Sequence, residues 1–172
     1  MQLPIKNKAS AVSYIGIFTA ALAVLSFFEG RMGVNFGIPG VKFGLSNIVI
    51  ISALMLFGSK AALLLAFLKI IFSFVFTSGI SGFLFTAFGT AASFTVMCIA
   101  KKVLDKKVSA VGISVLGGTA HITMQYLCSA LVLGTSAVWG LYPAAAAMSV
   151  VTSAVVGIIC NLILERKYIK WD

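Results

Sequence analysis

The chain has 172 residues, 60% of them hydrophobic and only 10% charged, with a mean hydropathy of +1.11. Soluble domains carry roughly 25% charged residues, so this sequence lacks the charge to cover a water-facing surface and reads as a bundle that uses the bilayer as solvent. The net charge of +9 would point to nucleic acid in a soluble protein. Here the lysines flank apolar runs, which assigns them to the membrane interface and leaves no nucleic-acid partner to expect.

Six apolar runs follow one another, and each predicts a membrane-spanning helix in a single domain, residues 1–172. The first covers about 10–28 and ends at Glu29-Gly30-Arg31. It continues past Ala21-Leu22-Ala23 without a polar break, so it reads as a retained helix and not as a cleaved secretory signal. A Gly/Pro-rich stretch, Gly33 to Gly40, comes next. The second run, about 43–57, is short for a span, which needs about 20 residues. Residues 34–42 are therefore expected to dip back toward the membrane and supply the missing depth, under cover of protein or water. The third run covers about 60–77, and Ser78-Gly79-Ile80-Ser81-Gly82 reads as a tight turn. The fourth, about 83–100, ends at Lys101-Lys102. The fifth covers about 109–133 and the sixth about 144–164, with Trp139 and Tyr142 at the interface between them and Tyr168 and Trp171 at the opposite one.

Basic residues orient the bundle. One side collects Lys6, Lys8, Lys60, Lys101, Lys102, Lys106, Lys107, Arg166, Lys167 and Lys170, and the other only Arg31 and Lys42. The first side is expected to be cytoplasmic, with both termini there.

Ionisable side chains near the bilayer centre cost roughly 2.5–3.5 kcal/mol on insertion scales, so each needs a reason. Lys69 lies nine residues past Lys60, about 13 Å along a helix. That depth demands a polar cavity or a partner. His121 and Gln125 are four residues apart and share a face of the fifth run; they line a polar site or join two helices. Asn47 is placed one turn into the second run from the outside, close to Lys42. Together these predict an outward-opening cavity, with Lys42 and Asn47 at its mouth and Lys69, His121 and Gln125 deeper. The loop that contains Pro39 and Gly40, flanked by Glu29 and Arg31, would be its lid. The plainer reading of Glu29 and Arg31 is a solvated ion pair. Cations outnumber anions, which favours an anionic group on a ligand that is otherwise partly apolar. Gly16 with Ala20, and Gly89 with Ser93, are small residues at four-residue spacing that suit close helix packing.

Catalysis has little to work with. There is no GxxxxGK[ST] loop. The four acidic residues, Glu29, Asp105, Glu165 and Asp172, form no cluster able to hold magnesium on a diphosphate. Cys98, Cys128 and Cys160 stand singly in apolar runs, away from the one histidine. No enzyme activity, cofactor or metal is expected.

The segment Pro39-Gly40-Val41-Lys42-Phe43-Gly44-Leu45-Ser46-Asn47, the segment Gly112 to His121 with Gln125 beyond, and the small-residue stretch Phe85 to Met97 resemble a bacterial membrane family. It is called the Gx transporter family or heptaprenyl diphosphate synthase component I, and it is similar to the substrate-binding S components of energy-coupling factor (ECF) transporters. The likeness runs from about 12 to 164. The family often has Asn after the histidine, where this chain has Ile122, and Arg where it has Lys69, a change that keeps the charge but loses a planar fork of donors. The resemblance implies an S-component-like bundle of six helices in the bacterial plasma membrane. It implies a small ligand, such as a vitamin or an isoprenoid or quinone precursor, held under the loop between the first two helices. It also implies a membrane coupling subunit and cytoplasmic ATPases as partners, met by a small-residue face that Gly16, Ala20, Thr19 and Ala23 would supply. Taken literally, the second family name implies instead a non-catalytic membrane accessory subunit of a heptaprenyl diphosphate synthase. A membrane scaffold with no small ligand is the plainest alternative.

Overall fold

A computed structural model describes residues 8–31, 44–76, 80–104 and 108–166. Among these residues there is no strand, and a helix occupies each of the six apolar runs: α1 (Lys8–Arg31), α2 (Asn47–Leu56), α3 (Ser59–Phe76), α4 (Ile80–Leu104), α5 (Ala110–Leu133) and α6 (Tyr142–Arg166). A short 3-10 turn, Ser136–Gly140, joins the last two.

Four stretches are long and apolar enough to cross a membrane: Val12–Arg31, Ser59–Phe76, Ile80–Leu104 and Tyr142–Leu164. The other two helices differ from these for separate reasons. α2 has ten residues, or about 15 Å at 1.5 Å per residue, half the thickness of the hydrocarbon layer. α5 has 24 residues and ample length, but Gly112, Gly117, Gly118, His121 and Gln125 interrupt its apolar run. It is also the central helix, packed most extensively against α4 and α6.

The boundaries depart from the sequence expectation at two places. α2 begins at Asn47 and not near 43, because Gly44 to Ser46 form a turn, with Gly44 at φ +76°. Ile80, Ser81 and Gly82 are the first turn of α4 and not part of a loop. Thr86 Oγ1 donates to Gly82 O at 2.9 Å, which ties that turn into the helix.

The packing is inside out relative to a soluble domain. Large apolar side chains such as Ile17, Phe67, Phe74, Leu131 and Val151 are exposed, while Lys69, His121, Gln125, Asn47, Thr90 and Ser93 are buried. That distribution suits a hydrocarbon surround, where polar groups must be satisfied internally. The main apolar core joins Leu22, Ile50, Leu54, Leu65, Met97 and Ile113. At the α5–α6 end, Tyr126, Trp139 and Tyr142 form an aromatic cluster with ring centroids 5.3–6.5 Å apart. Tyr168 and Trp171 lie outside the described residues.

Candidate functional site

α3 buries a face made by Ala62, Leu65, Ala66, Lys69 and Ser73, and it exposes Leu63, Leu64, Phe67 and Phe74 on the other. The i, i+3, i+4 spacing thus turns Lys69 inward, away from the lipid-facing side. Ten residues separate it from Ser59, about 15 Å along an 18-residue helix about 27 Å long. The ammonium is deep in the bundle, and the residue is 2% exposed.

Its partner comes from the start of α2. Lys69 Nζ donates to Asn47 Oδ1 at 2.6 Å, a buried contact across 22 residues of sequence. Asn47, expected at the mouth, is the buried first residue of α2 and is in direct contact with Lys69. The turn before it is closed by Asn47 N–H to Gly44 O at 2.9 Å, Ile48 N–H to Leu45 O at 3.1 Å and Val49 N–H to Ser46 O at 3.2 Å.

α5 contributes His121 and Gln125 from its buried face. The Gln125 amide nitrogen and His121 Nε2 share a hydrogen bond of 3.1 Å. The pair is brought to Asn47 by two glycines. A Cβ on Gly44 would lie 2.8 Å from Asn47 Nδ2 and 3.6 Å from His121 Cδ2, so this residue sits between them. A Cβ on Gly89 would lie 2.9 Å from His121 Nδ1 and 3.1 Å from Gln125 Cγ, so the α4 backbone rests directly on the pair. Real side chains do not make such contacts, and Gly89 is where α4 permits the histidine to be buried. Spans two, three and five therefore converge, with α4 closing one side.

The other sequence candidates fall elsewhere. Lys42, Pro39 and Gly40 lie outside the described residues, as does the segment 34–42 expected to dip into the membrane. Glu29 and Arg31 do not form the expected pair. Arg31 is exposed, with its guanidinium carbon 5.3 Å from the centre of the Phe27 ring. Glu29 turns the other way and accepts from Ser46, from the hydroxyl at 2.5 Å and from the backbone N–H at 3.2 Å. Two residues apart on a helix, Glu29 and Arg31 point to different sides, which is why sequence proximity misleads. On α1, Gly16 and Ala20 are exposed and Thr19 and Ala23 half-buried; nothing lies within 4 Å of a Cβ built on Gly16. Gly89 and Ser93, by contrast, serve packing inside the bundle, against α5.

Gly44, Ser46 and Gly89 belong to the site or its supports although the sequence motifs do not assign them to it. Thr90 Oγ1 and Ser93 Oγ are buried with no hydrogen-bond partner among the described residues. A run of small and hydroxyl residues on α4 was the available signal, though it also fits plain packing. A groove of about 440 Å³ between α4 and α5, lined by residues including Ala92, Val96, Leu116 and Thr123, contains none of Asn47, Lys69, His121 and Gln125. The three cysteines are free thiols on α4, α5 and α6.

A family model described as heptaprenyl diphosphate synthase component I matches residues 18–163. Comparisons with curated proteins and with solved structures give no match.

Proposed function

The chain belongs to the heptaprenyl diphosphate synthase component I family, and from that premise and the buried polar cluster we propose that it is a substrate-binding membrane subunit of an energy-coupled importer. Its ligand is a small, anionic and partly apolar molecule, of the size of a vitamin or an isoprenoid or quinone precursor. Asn47, Lys69, His121 and Gln125 hold the polar end, and Lys42 is the further cation that the sequence offers to it. Energy comes from a membrane coupling subunit and cytoplasmic ATPases, since the sequence carries no phosphate-binding loop of its own. The protein is a multi-pass component of the bacterial plasma membrane, with both termini in the cytoplasm, and it is not itself an enzyme.

The observation that carries this reading is the contact of Lys69 with Asn47 beside His121. A bundle that needed only to fold would place apolar side chains at mid-depth. Intramembrane ionisable residues are rare, face the bundle interior and mark ligand or ion pathways. The S-component role itself rests on resemblance, and ligand retention tests it. Mass spectrometry of small molecules that co-purify with the wild-type chain should reveal one species that is lost from Lys69→Ala. No such species under any growth condition, or equal amounts in both proteins, would sink the proposal.

The family description favours a second reading, a non-catalytic accessory subunit of a heptaprenyl diphosphate synthase. The same cluster would then receive the diphosphate end of a prenyl chain made by a soluble partner. The partner recovered by crosslinking in native membranes separates the two: an ATPase module for the first, a prenyl synthase for the second.

A further inference from the structure

We infer that Glu29 is a positioning residue of the proposed site: its carboxylate, reaching from α1, completes the start of α2 and leaves the Asn47 side chain to hold Lys69. The inference rests on the binding reading of the Asn47–Lys69 cluster, but its structural half stands apart from it.

Serine and asparagine at a helix start ordinarily use their side-chain oxygens to cap the first-turn N–H groups. α2 begins Ser46-Asn47, yet Ser46 makes no side-chain cap. Its hydroxyl and its backbone N–H both donate to Glu29, at 2.5 and 3.2 Å. The next three N–H groups close on Gly44, Leu45 and Ser46 carbonyls. The start of α2 is thus satisfied without the Asn47 side chain, whose Oδ1 accepts from Lys69 instead. A carboxylate at a helix N-terminus is also favoured by the aligned peptide dipoles. Ser46 is fully buried, so loss of Glu29 would strand two buried donors and loosen the turn that sets Asn47 against Lys69. A shift of that turn breaks the Asn47–Lys69 contact.

The test is amine labelling of the full chain in detergent, read residue by residue by mass spectrometry. Exposed Lys60 and Lys102 serve as references, and the fully buried thiol of Cys160 reports any global loosening. Wild-type Lys69 should label slowly. Glu29→Ala should raise its rate several-fold with Lys60, Lys102 and Cys160 unchanged. Glu29→Gln, which keeps one carbonyl acceptor for Ser46, should restore most of the protection, and Ser46→Ala should resemble Glu29→Ala. Co-purified small molecules are measured on the same samples. Faster Lys69 labelling with unchanged small molecules supports the positioning role and counts against the binding reading alone. Unchanged Lys69 labelling in Glu29→Ala, no rescue by Glu29→Gln, or a rise shared by Cys160 overturns the inference.

Discussion

Lys69 brings a charge into a bundle whose surroundings are almost wholly apolar, at a cost of roughly 2.5–3.5 kcal/mol on insertion scales. The bond to Asn47 Oδ1 at 2.6 Å is charge-assisted, a class that contributes about 1.5–3 kcal/mol. Cost and gain are of one size, so the pair is close to balanced and the loss of one partner is felt more than the loss of both. Asn47→Leu should therefore destabilise the chain by about 2 kcal/mol, because it leaves a buried ammonium short of an acceptor. Lys69→Met should cost less, and the double variant should recover at least about 1 kcal/mol relative to the summed single losses. Denaturant titration in mixed micelles measures all three; strictly additive losses would mean that the two side chains are not coupled. Lys69 was legible in the sequence because a charge inside an apolar run has few explanations. Asn47 was legible as a polar residue near the start of a run, but its depth was not, since that depends on where α2 begins. Glu29 was misread because its partner is Ser46, 17 residues away, and no local periodicity reports such a contact.

The helices themselves were readable, since runs of apolar residues bounded by glycine and lysine leave the chain little choice in lipid. What the pattern does not report is how closely two helices approach. α5 and α6 meet almost backbone to backbone: a Cβ on Gly157 would lie 2.4 Å from Val111 Cα, and Ser149 Oγ donates to Gly118 O at 3.0 Å. On α1, Gly16 faces open space. Sequence gives both residues the same meaning, a small side chain in an apolar helix, whereas the packing separates them. Gly157→Ala must push apart two main chains and cannot be relieved by a rotamer change, so a loss of about 1–3 kcal/mol is expected from overpacking. Gly16→Ala should leave the fold intact or raise its stability by about 0.5–1 kcal/mol through the lower flexibility of alanine. Thermal midpoints of the two variants in one detergent decide the matter, and equal shifts would contradict the close α5–α6 contact. If α1 meets a coupling subunit through its exposed small residues, Gly16→Ala should weaken that association while the isolated chain stays as stable as before.

At the scale of the molecule, contacts between helix ends sort them into two groups. The end of α2 meets the end of α4 where Lys101 Nζ donates to Leu54 O, and the start of α5 meets the later part of α6 at Val111 and Gly157. At the opposite end Gly30 of α1 touches Phe76 of α3, and Thr123 of α5 shares a hydrogen bond of 2.8 Å with Tyr142 of α6. Ten lysines and arginines were assigned to the first end and two to the second from sequence alone, and this grouping of helix ends agrees with an up-and-down course through the membrane. The helix grouping is the same whichever end faces the cytoplasm, so orientation rests on charge. In a cysteine-free background, Ser136→Cys, exposed on the turn between α5 and α6, should react with a membrane-impermeant maleimide in intact cells. Lys102→Cys, at the end of α4, should react only after the membrane is opened. The reverse pattern would place the basic end outside. It would also turn the end of α1 at Arg31 and the start of α2 at Asn47 toward the cytoplasm, which an importer that captures its ligand from outside cannot accommodate. The topology experiment therefore bears on function as well as orientation: a cytoplasmic start of α2 would leave the synthase-accessory reading standing and remove the importer.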